Sequence, residues 1–320
     1  MTSAPLGYLA TDGAAASPVT ALAWGLVCVS LAVILIVCLL VVWASLRRRG
    51  APSRKEADDN LVGRPASGLG WIYGGLTISV PVLLISTVWS LVVLAQVMKP
   101  AASPGLTIEV NAHQWWWEAR YDSPDPWRIF TTANEIHIPV GVPVQIKLAS
   151  SDVIHSFWAP KLAGKMDVIP GLANATWIEA DRPGRYRGQC GEYCGLQHAR
   201  MAFYVVAESP AAFAAWRARQ LRPPDAHPSP VAARGAAVFA ARCAACHTIR
   251  GAEGGGIVGP DLSHLADRET LAGAMIPNDR SHLDGWIRDP QSVKPGALMP
   301  AVRLTQADRG SVVAYLESLK

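Results

Sequence analysis

The chain has 320 residues, half of them hydrophobic, with six cysteines and a formal net charge of +4. Its mean hydropathy of +0.19 is high for a purely soluble protein, and its length leaves room for membrane spans and two soluble domains. The small charge excess is gathered in one short loop, which argues against a nucleic-acid surface and leaves nucleic acid out of the expected partners.

Residues 1–18 carry Asp12 and no Lys or Arg, so they lack the charged start and short apolar core of a signal peptide and form an external segment. Val19 to Leu46 is apolar throughout and long enough to span a bilayer as a first helix over 19–46. A loop over 47–70 follows, with Arg47, Arg48, Arg49, Arg54, Lys55 and Arg64 beside Glu56, Asp58 and Asp59. Its Lys/Arg bias assigns it to the cytoplasm. A second span over 71–98 contains Pro81, with Trp71, Tyr73 and Trp89 expected at the interface or facing a helix. Gly74 and Gly75 are expected to let this helix pack closely on a neighbour. Both ends of the hairpin then lie outside.

Beyond Lys99-Pro100 the pattern changes to short strands over 106–112, 114–121, 135–139, 142–149, 173–179, 186–189 and 202–207. Turn signals such as Ser123-Pro124-Asp125-Pro126 and Arg182-Pro183-Gly184 separate them, which indicates a sandwich or barrel over 100–208. In a strand, Trp115 and Trp117 share one face and Trp116 the other, so the three cannot all be core. Residues 210–221 read as a short amphipathic helix with Phe213 and Trp216 on one side. The segment 209–230 closes with a stiff proline-rich linker holding a solvated His227, before a last domain over 231–320.

Two cysteine clusters carry chemistry. In Cys190-Gly191-Glu192-Tyr193-Cys194-Gly195-Leu196-Gln197-His198-Ala199-Arg200-Met201, two thiols, an imidazole and a thioether fall within twelve residues, with His155 as a further donor upstream. This mixture of soft and borderline ligands suits a pair of copper ions. A disulfide or a structural Cys₂His₂ zinc site is the alternative, though neither uses Met201. Cys28 and Cys38, inside an apolar run, are inert small hydrophobes. The second cluster, Cys243-Ala244-Ala245-Cys246-His247, is a C-x-x-C-H sequence, which reads as covalent c-type haem with His247 as proximal ligand. His264, His282, Met275 and Met299 lie downstream. Met299, in a loop ahead of a helix over 305–319, is the expected sixth ligand.

The run from Cys190 to Met201, with His155-Ser156-Phe157 and His113-Gln114-Trp115 before it, resembles subunit II of cytochrome c oxidase over roughly residues 19–208. Residues 231–320 resemble a class I cytochrome c. The resemblance implies a multidomain membrane protein: a two-helix transmembrane hairpin, an all-β cupredoxin-like Greek-key barrel and an all-α class I cytochrome c domain. It implies a binuclear CuA centre in which His155 and Met201 serve one copper, His198 and the Glu192 carbonyl the other, and Cys190 and Cys194 bridge both. It makes Trp115 the surface aromatic at which electrons reach copper. It gives the Glu192 carboxylate to a Mg²⁺ or Mn²⁺ shared with subunit I, and the Pro260 carbonyl to the N–H of His247. Where many relatives carry a glutamate for proton uptake, this chain has Gly74 and Gly75, and no proton-uptake residue is assigned.

The function implied is the electron-input subunit of a respiratory oxidase in the bacterial inner membrane, with both metal domains on the periplasmic side. Electrons would come from a cytochrome c or a cytochrome bc complex, pass through haem c and copper, and reach subunit I, where O₂ is reduced with proton pumping. The alternatives are the same subunit serving a CuA-type nitric oxide reductase, or a free-standing membrane-anchored carrier. Within residues 231–320, ten Lys/Arg stand against nine Asp/Glu, a balance unsuited to electrostatic capture of a highly charged donor.

Overall fold

The computed structural model describes residues 6–47, 69–224 and 229–320. The basic loop beyond Arg47, on which the expected orientation rests, lies outside the described residues, as does His227 of the linker. One unit spans Pro18–Met98, and a second comprises Met1–Ser17 with Lys99–Lys320.

The first unit consists of α1 (Ser17–Leu46) and α2 (Leu69–Met98), each of 30 residues and without a charged side chain. At 1.5 Å per residue each runs to about 45 Å, more than the ~30 Å of a hydrocarbon layer. Both are long and apolar enough to cross a membrane. Pro81 offers no N–H to the carbonyl four residues back; one turn earlier, Thr77 Oγ1 donates to the Tyr73 carbonyl at 2.7 Å. The glycine at which the two helices meet is Gly25, where a Cβ would run into the Trp89 ring. A Cβ on Gly74 or Gly75 would meet nothing within 4 Å. Within this chain it is therefore Gly25, not Gly74 or Gly75, that takes a neighbour closely, leaving room for the Trp89 ring.

In the second unit ten strands form two five-stranded sheets. One has the order β3 (Phe130–Ala133), β2 (Trp116–Tyr121), β1 (Leu106–His113), β5 (Val144–Ser150), β8 (Asn174–Ile178). The other has the order β4 (Glu135–Pro139), β10 (Ala202–Glu208), β9 (Gly184–Cys190), β6 (His155–Trp158), β7 (Met166–Val168). The pairs β1/β5 and β4/β10 are parallel, and the others antiparallel. Strict alternation along β1 sends Leu106, Ile108, Val110 and Ala112 inward, where they meet Trp117, Phe157, Phe203 and Ile146. Strands β3, β6 and β7 were not expected from sequence. They have four, four and three residues, too few to show a period of two.

Helix α3 (Pro210–Gln220), capped by Ser209, lays Phe213 and Trp216 on this core. The Trp216 ring stacks on His137 at 4.1 Å. The segment before α1 also belongs here. Asp12 N–H donates to the Lys161 carbonyl at 2.9 Å, and Asp181 N–H to the Asp12 carbonyl at 2.8 Å. The Asp12 carboxylate pairs with Lys161 and with Arg182, and Ala15 is part of the barrel core.

The C-terminal region is helical, with α4 (Pro230–Arg242), α5 (Arg280–Arg288), α6 (Pro290–Val293) and α7 (Gln306–Glu317) around a small hairpin of β11 (Thr270–Leu271) and β12 (Ile276–Pro277). Phe239 of α4 meets Tyr315 of α7 edge-on at 5.8 Å. This region is seated on the barrel. Glu135 Oε1 accepts from the N–H groups of Glu269 and Thr270 and from Thr270 Oγ1 at 3.0–3.1 Å. Arg250 Nη2 donates to the Ile129 carbonyl at 3.2 Å, and Ala202 N–H to the Gly273 carbonyl at 3.1 Å.

Candidate metal centres

The register of β6 against β9 brings the distant histidine to the cysteine loop. Phe157 pairs with Cys190, and Gly191 N–H donates to the Ser156 carbonyl at 2.9 Å. His155 is therefore fixed beside the point where β9 ends and the loop begins. A turn of 3₁₀ helix over His198–Arg200 then returns the chain to β10.

The donor atoms converge. Cys190 Sγ lies 3.7 Å from Cys194 Sγ, 3.9 Å from His155 Nδ1 and 3.2 Å from the Glu192 carbonyl oxygen. Cys194 Sγ lies 3.6 Å from His198 Nδ1 and 3.7 Å from Met201 Sδ. All six sequence-expected groups thus surround one small volume, with His155 and Met201 fully buried. The sulfur separation far exceeds the ~2.05 Å of a disulfide, and both cysteines are free. Two thiols, two imidazoles presenting Nδ1 and a thioether fit a thiolate-bridged copper pair better than a hard cation.

The electrostatics set the two thiols apart. The neighbouring Cys194 sulfur, with lesser help from His155, pulls the Cys190 thiol far down, to about 3, and the same contact pushes Cys194 up. A thiolate is the metal-binding form. Burial works against protonation of His155, but its hydrogen bonds to Cys190 and Asp152 outweigh burial and raise its pKa. Asp152 Oδ1 holds His155 Nε2 at 2.7 Å, a carboxylate fixing the ring whose other nitrogen faces the sulfurs. Asp152 Oδ2 accepts the Gln114 N–H at 2.6 Å, and Gln114 Nε2 donates to the Cys194 carbonyl at 2.8 Å. Sequence reasoning assigned no role to Asp152 or Gln114. The signal for Asp152 was an acid three residues before His155.

Glu192 differs from its neighbours. Its carboxylate is partly exposed and lies 3.7 Å from Lys165 Nζ, which also approaches Asp167 at 3.9 Å.

Trp115 is not a surface aromatic. Residues 114 and 115 form a turn between β1 and β2, so the alternation expected across the tryptophan run starts only at Trp116. Trp116 stacks on His113 at 4.2 Å, and Trp117 enters the core edge-on to His155, Phe157 and Phe203. Trp115 is 8% exposed and covered by the C-terminal domain, an arrangement no local pattern reveals. Its Nε1–H donates to the Cys194 carbonyl at 2.9 Å.

The second centre is a pocket that Trp115 helps to line. Cys243, Cys246, His247 and Met299 face it, with Leu265, Leu283, Trp286 and Ile287 as apolar wall. His247 Nδ1 is 2.8 Å from the Pro260 carbonyl, which fixes the ring as an iron ligand requires. A Cβ on Gly259 would lie 2.5 Å from the His247 ring, so a side chain there would displace it. Burial lowers the His247 pKa and keeps the imidazole neutral for ligation. Among the other histidines and methionines weighed, His264 Nε2 is bound to the Arg222 carbonyl and His282 is paired with Asp279. Met275 does not line the pocket. Gln291, unassigned from sequence, donates to the carbonyls of Ala297 and Met299 and accepts the Gly296 N–H, bracing the methionine loop. The paired thiols, the axial pair and the apolar wall fit a covalently held haem.

Residues 123–209 match the family described as cytochrome c oxidase subunit II, periplasmic domain, and residues 232–320 match cytochrome c. The chain is 39% identical over 215 residues to cytochrome c oxidase subunit 2 of Alkalihalophilus pseudofirmus, covering 67% of this chain and 61% of that relative. It is 35% identical over 229 residues to the subunit 2 of Bacillus sp. strain PS3, covering 67% and 62%. The chain thus spans about three fifths of those relatives' length. Among solved structures, the periplasmic domain of subunit II of cytochrome oxidase of Bradyrhizobium japonicum is similar at 31% identity and a TM-score of 0.35, over 38% of this chain and 96% of that one.

Proposed function

We propose, for a chain whose residues 123–209 match the cytochrome c oxidase subunit II family and whose residues 232–320 match cytochrome c, that it is the electron-input subunit of a haem–copper oxidase. The observation that carries this reading is the meeting of five sulfur and nitrogen side-chain donors at 3.6–3.9 Å, one wall away from a C-x-x-C-H pocket. When bound, a copper pair and a haem supply one-electron carriers of low reorganisation, with oxygen chemistry left to another subunit.

The chain's own residues do the holding. Cys190, Cys194, His155, His198, Met201 and the Glu192 carbonyl would hold the coppers, and Asp152 orients His155. Cys243 and Cys246 would hold the haem covalently, His247 and Met299 would serve its iron, and the Pro260 carbonyl sets the His247 ring. Trp115, touching the haem pocket and bonded to Cys194, is the residue we assign to the passage between them. Fusing the two domains replaces diffusional encounter by a fixed neighbour. Lys165 is the group that faces the Glu192 carboxylate here, so a Mg²⁺ or Mn²⁺ at Glu192 would need carboxylates or waters from outside this chain.

The helices α1 and α2 support an anchor in the bacterial inner membrane, with both metal domains on the outer side and the basic loop in the cytoplasm. An outside cytochrome c or a bc complex would be the donor, and subunit I the acceptor.

The test is purification of the full chain in mild detergent from its native membrane. Two coppers and one iron per chain are expected, with a many-span haem protein co-purifying and O₂ consumed. Turnover of NO without O₂ would move the chain to a nitric oxide reductase. Purification alone, with both metals, would make it a free-standing carrier. Zinc, or no metal, at the barrel end would end the reading.

A further inference from the structure

Where the two metal domains meet, the methionine loop and the cysteine loop are bonded to each other. Gln197 Nε2 donates to the Pro295 carbonyl at 2.7 Å, and Arg200 Nη1 to the Val293 carbonyl at 2.9 Å. Between these two bonds stands Lys294. Only 2% of it is exposed, and its ammonium lies 2.6 Å from the Trp115 carbonyl and 2.9 Å from the Ala272 carbonyl. A lysine of the cytochrome domain thus grips the backbone of the one tryptophan that bonds to Cys194.

Stability alone does not select a lysine here. Taking an ammonium out of water is costly, and a pair of carbonyls offsets only part of it. The cost is visible in the side chain's pKa, which burial pushes down to about 7. A methionine of similar length would fill the same space without that penalty. What an apolar side chain would not supply is a directional hold on the Trp115 carbonyl. The indole is enclosed on its other sides as well: a Cβ on Gly195 would lie 3.2 Å from its ring, and one on Gly296 would lie 3.4 Å from it.

Resting on the function proposed above, we infer that Lys294 is a positioning residue, whose bonds to the Trp115 and Ala272 carbonyls hold the indole in place between the haem pocket and Cys194 and so set the rate of electron passage within the chain. Its side chain also borders the pocket of Cys243 and His247, but its hydrogen bonds go to the Trp115 and Ala272 carbonyls, and its action is through Trp115. Displacing a reacting group by as little as 1 Å can change a rate about a hundredfold, so one hydrogen bond to the tryptophan's backbone can have a large kinetic effect.

The experiment uses the full chain in detergent, with three variants. Lys294→Met removes the donor and keeps the bulk. Gly273→Ala reaches the same bonds from the other side, since its Cβ would lie 2.7 Å from Lys294 Nζ and 3.0 Å from the Trp115 carbonyl oxygen. Arg250→Ala deletes a domain contact that does not involve Trp115, its bond to the Ile129 carbonyl. Two quantities are read: the haem-to-copper transfer rate after light-triggered reduction of the haem, and hydrogen exchange of residues 113–117 by mass spectrometry. Lys294→Met is expected to slow transfer about tenfold or more and to deprotect 113–117, while reduction of the haem by an outside reductant stays as in the parent. Gly273→Ala should do the same, and carries the test alone if Lys294→Met fails to assemble. Arg250→Ala should leave the transfer rate unchanged. Equal slowing in Lys294→Met and Arg250→Ala would reduce the lysine to ordinary interface glue and overturn the inference. So would a Lys294→Met rate and exchange pattern matching the parent. A parent without copper or haem, seen in its spectra before any variant is made, overturns the proposed function and this inference with it.

Discussion

Trp115 Nε1–H donates to the carbonyl oxygen of Cys194 at 2.9 Å, so a residue lining the haem pocket is bonded to a residue of the cysteine pair. The same carbonyl also accepts Gln114 Nε2 at 2.8 Å, which decides what a substitution does. In Trp115→Phe the carbonyl keeps one donor, so loss of the indole bond costs only about 1 kcal/mol. Transfer from haem to copper should nevertheless fall by about tenfold or more, the change that ~1.4 kcal/mol on a barrier produces. Thermal melting and flash-induced kinetics on the same preparation separate the two effects, and an unchanged rate removes Trp115 from the route.

The methionine loop offers a graded test. Met299→Ala should abolish a methionine-to-iron charge-transfer band, and its persistence would transfer the ligand to Met275. Gln291→Ala leaves Met299 in place but frees the carbonyls of Ala297 and Met299 and the Gly296 N–H. The expected result is a weakened or shifted band, read by visible spectroscopy of the oxidised protein.

Asp152 fixes His155 from behind while also accepting the Gln114 N–H. In Asp152→Asn the amide can serve only one of these partners well. Loss of such a partner to a metal-bound histidine typically weakens metal affinity by about 10–100-fold. Copper titration of the apoprotein against a chelator measures it, and an affinity within twofold of the parent would show that the ring needs no such support.

His264 predicts an acid sensitivity in the cytochrome domain. It is buried, and its Nε2 is 3.2 Å from the Arg222 carbonyl. Burial lowers its pKa from the usual 6.5. A folded-state pKa below the unfolded value means that folding is favoured fully above about pH 6.5 and loses stability as pH falls toward the folded value, at up to about 1.4 kcal/mol per pH unit. Thermal melts between pH 7 and pH 5 should fall less steeply for His264→Gln, which keeps a donor toward Arg222. Parallel profiles would rule this histidine out as the cause.

The two metal clusters were legible in the sequence because their ligands crowd into short runs: twelve residues from Cys190 to Met201 and five from Cys243 to His247. His155 stood out as a further donor upstream, but the strand that carries it did not, since β6 has four residues and no readable period. The long helices α1 and α2 and the alternating β1 were legible from hydropathy alone. The seating of one domain on the other was not. Lys294 bonds to a residue 179 positions away and Thr270 to one 135 positions away, and neither end of such a contact carries a mark in its local pattern. For the same reason Trp115 was read as a surface residue: its burial is created by a domain that begins more than a hundred residues later.

The pinning of Asp12 has a topological consequence. Residue 12 and the strand that begins at Leu106 belong to one compact unit, with two greasy rods lying between them in the chain. If those rods are sunk in lipid, the polypeptide has to leave and return to the same face of the bilayer, so the number of crossings is even by construction, whatever charges lie in the connecting loop. Breaking the Asp12 ion pairs with Lys161 and Arg182 should therefore loosen the leading segment, still held by its backbone bonds, without inverting the hairpin, because the barrel alone still fixes the far end.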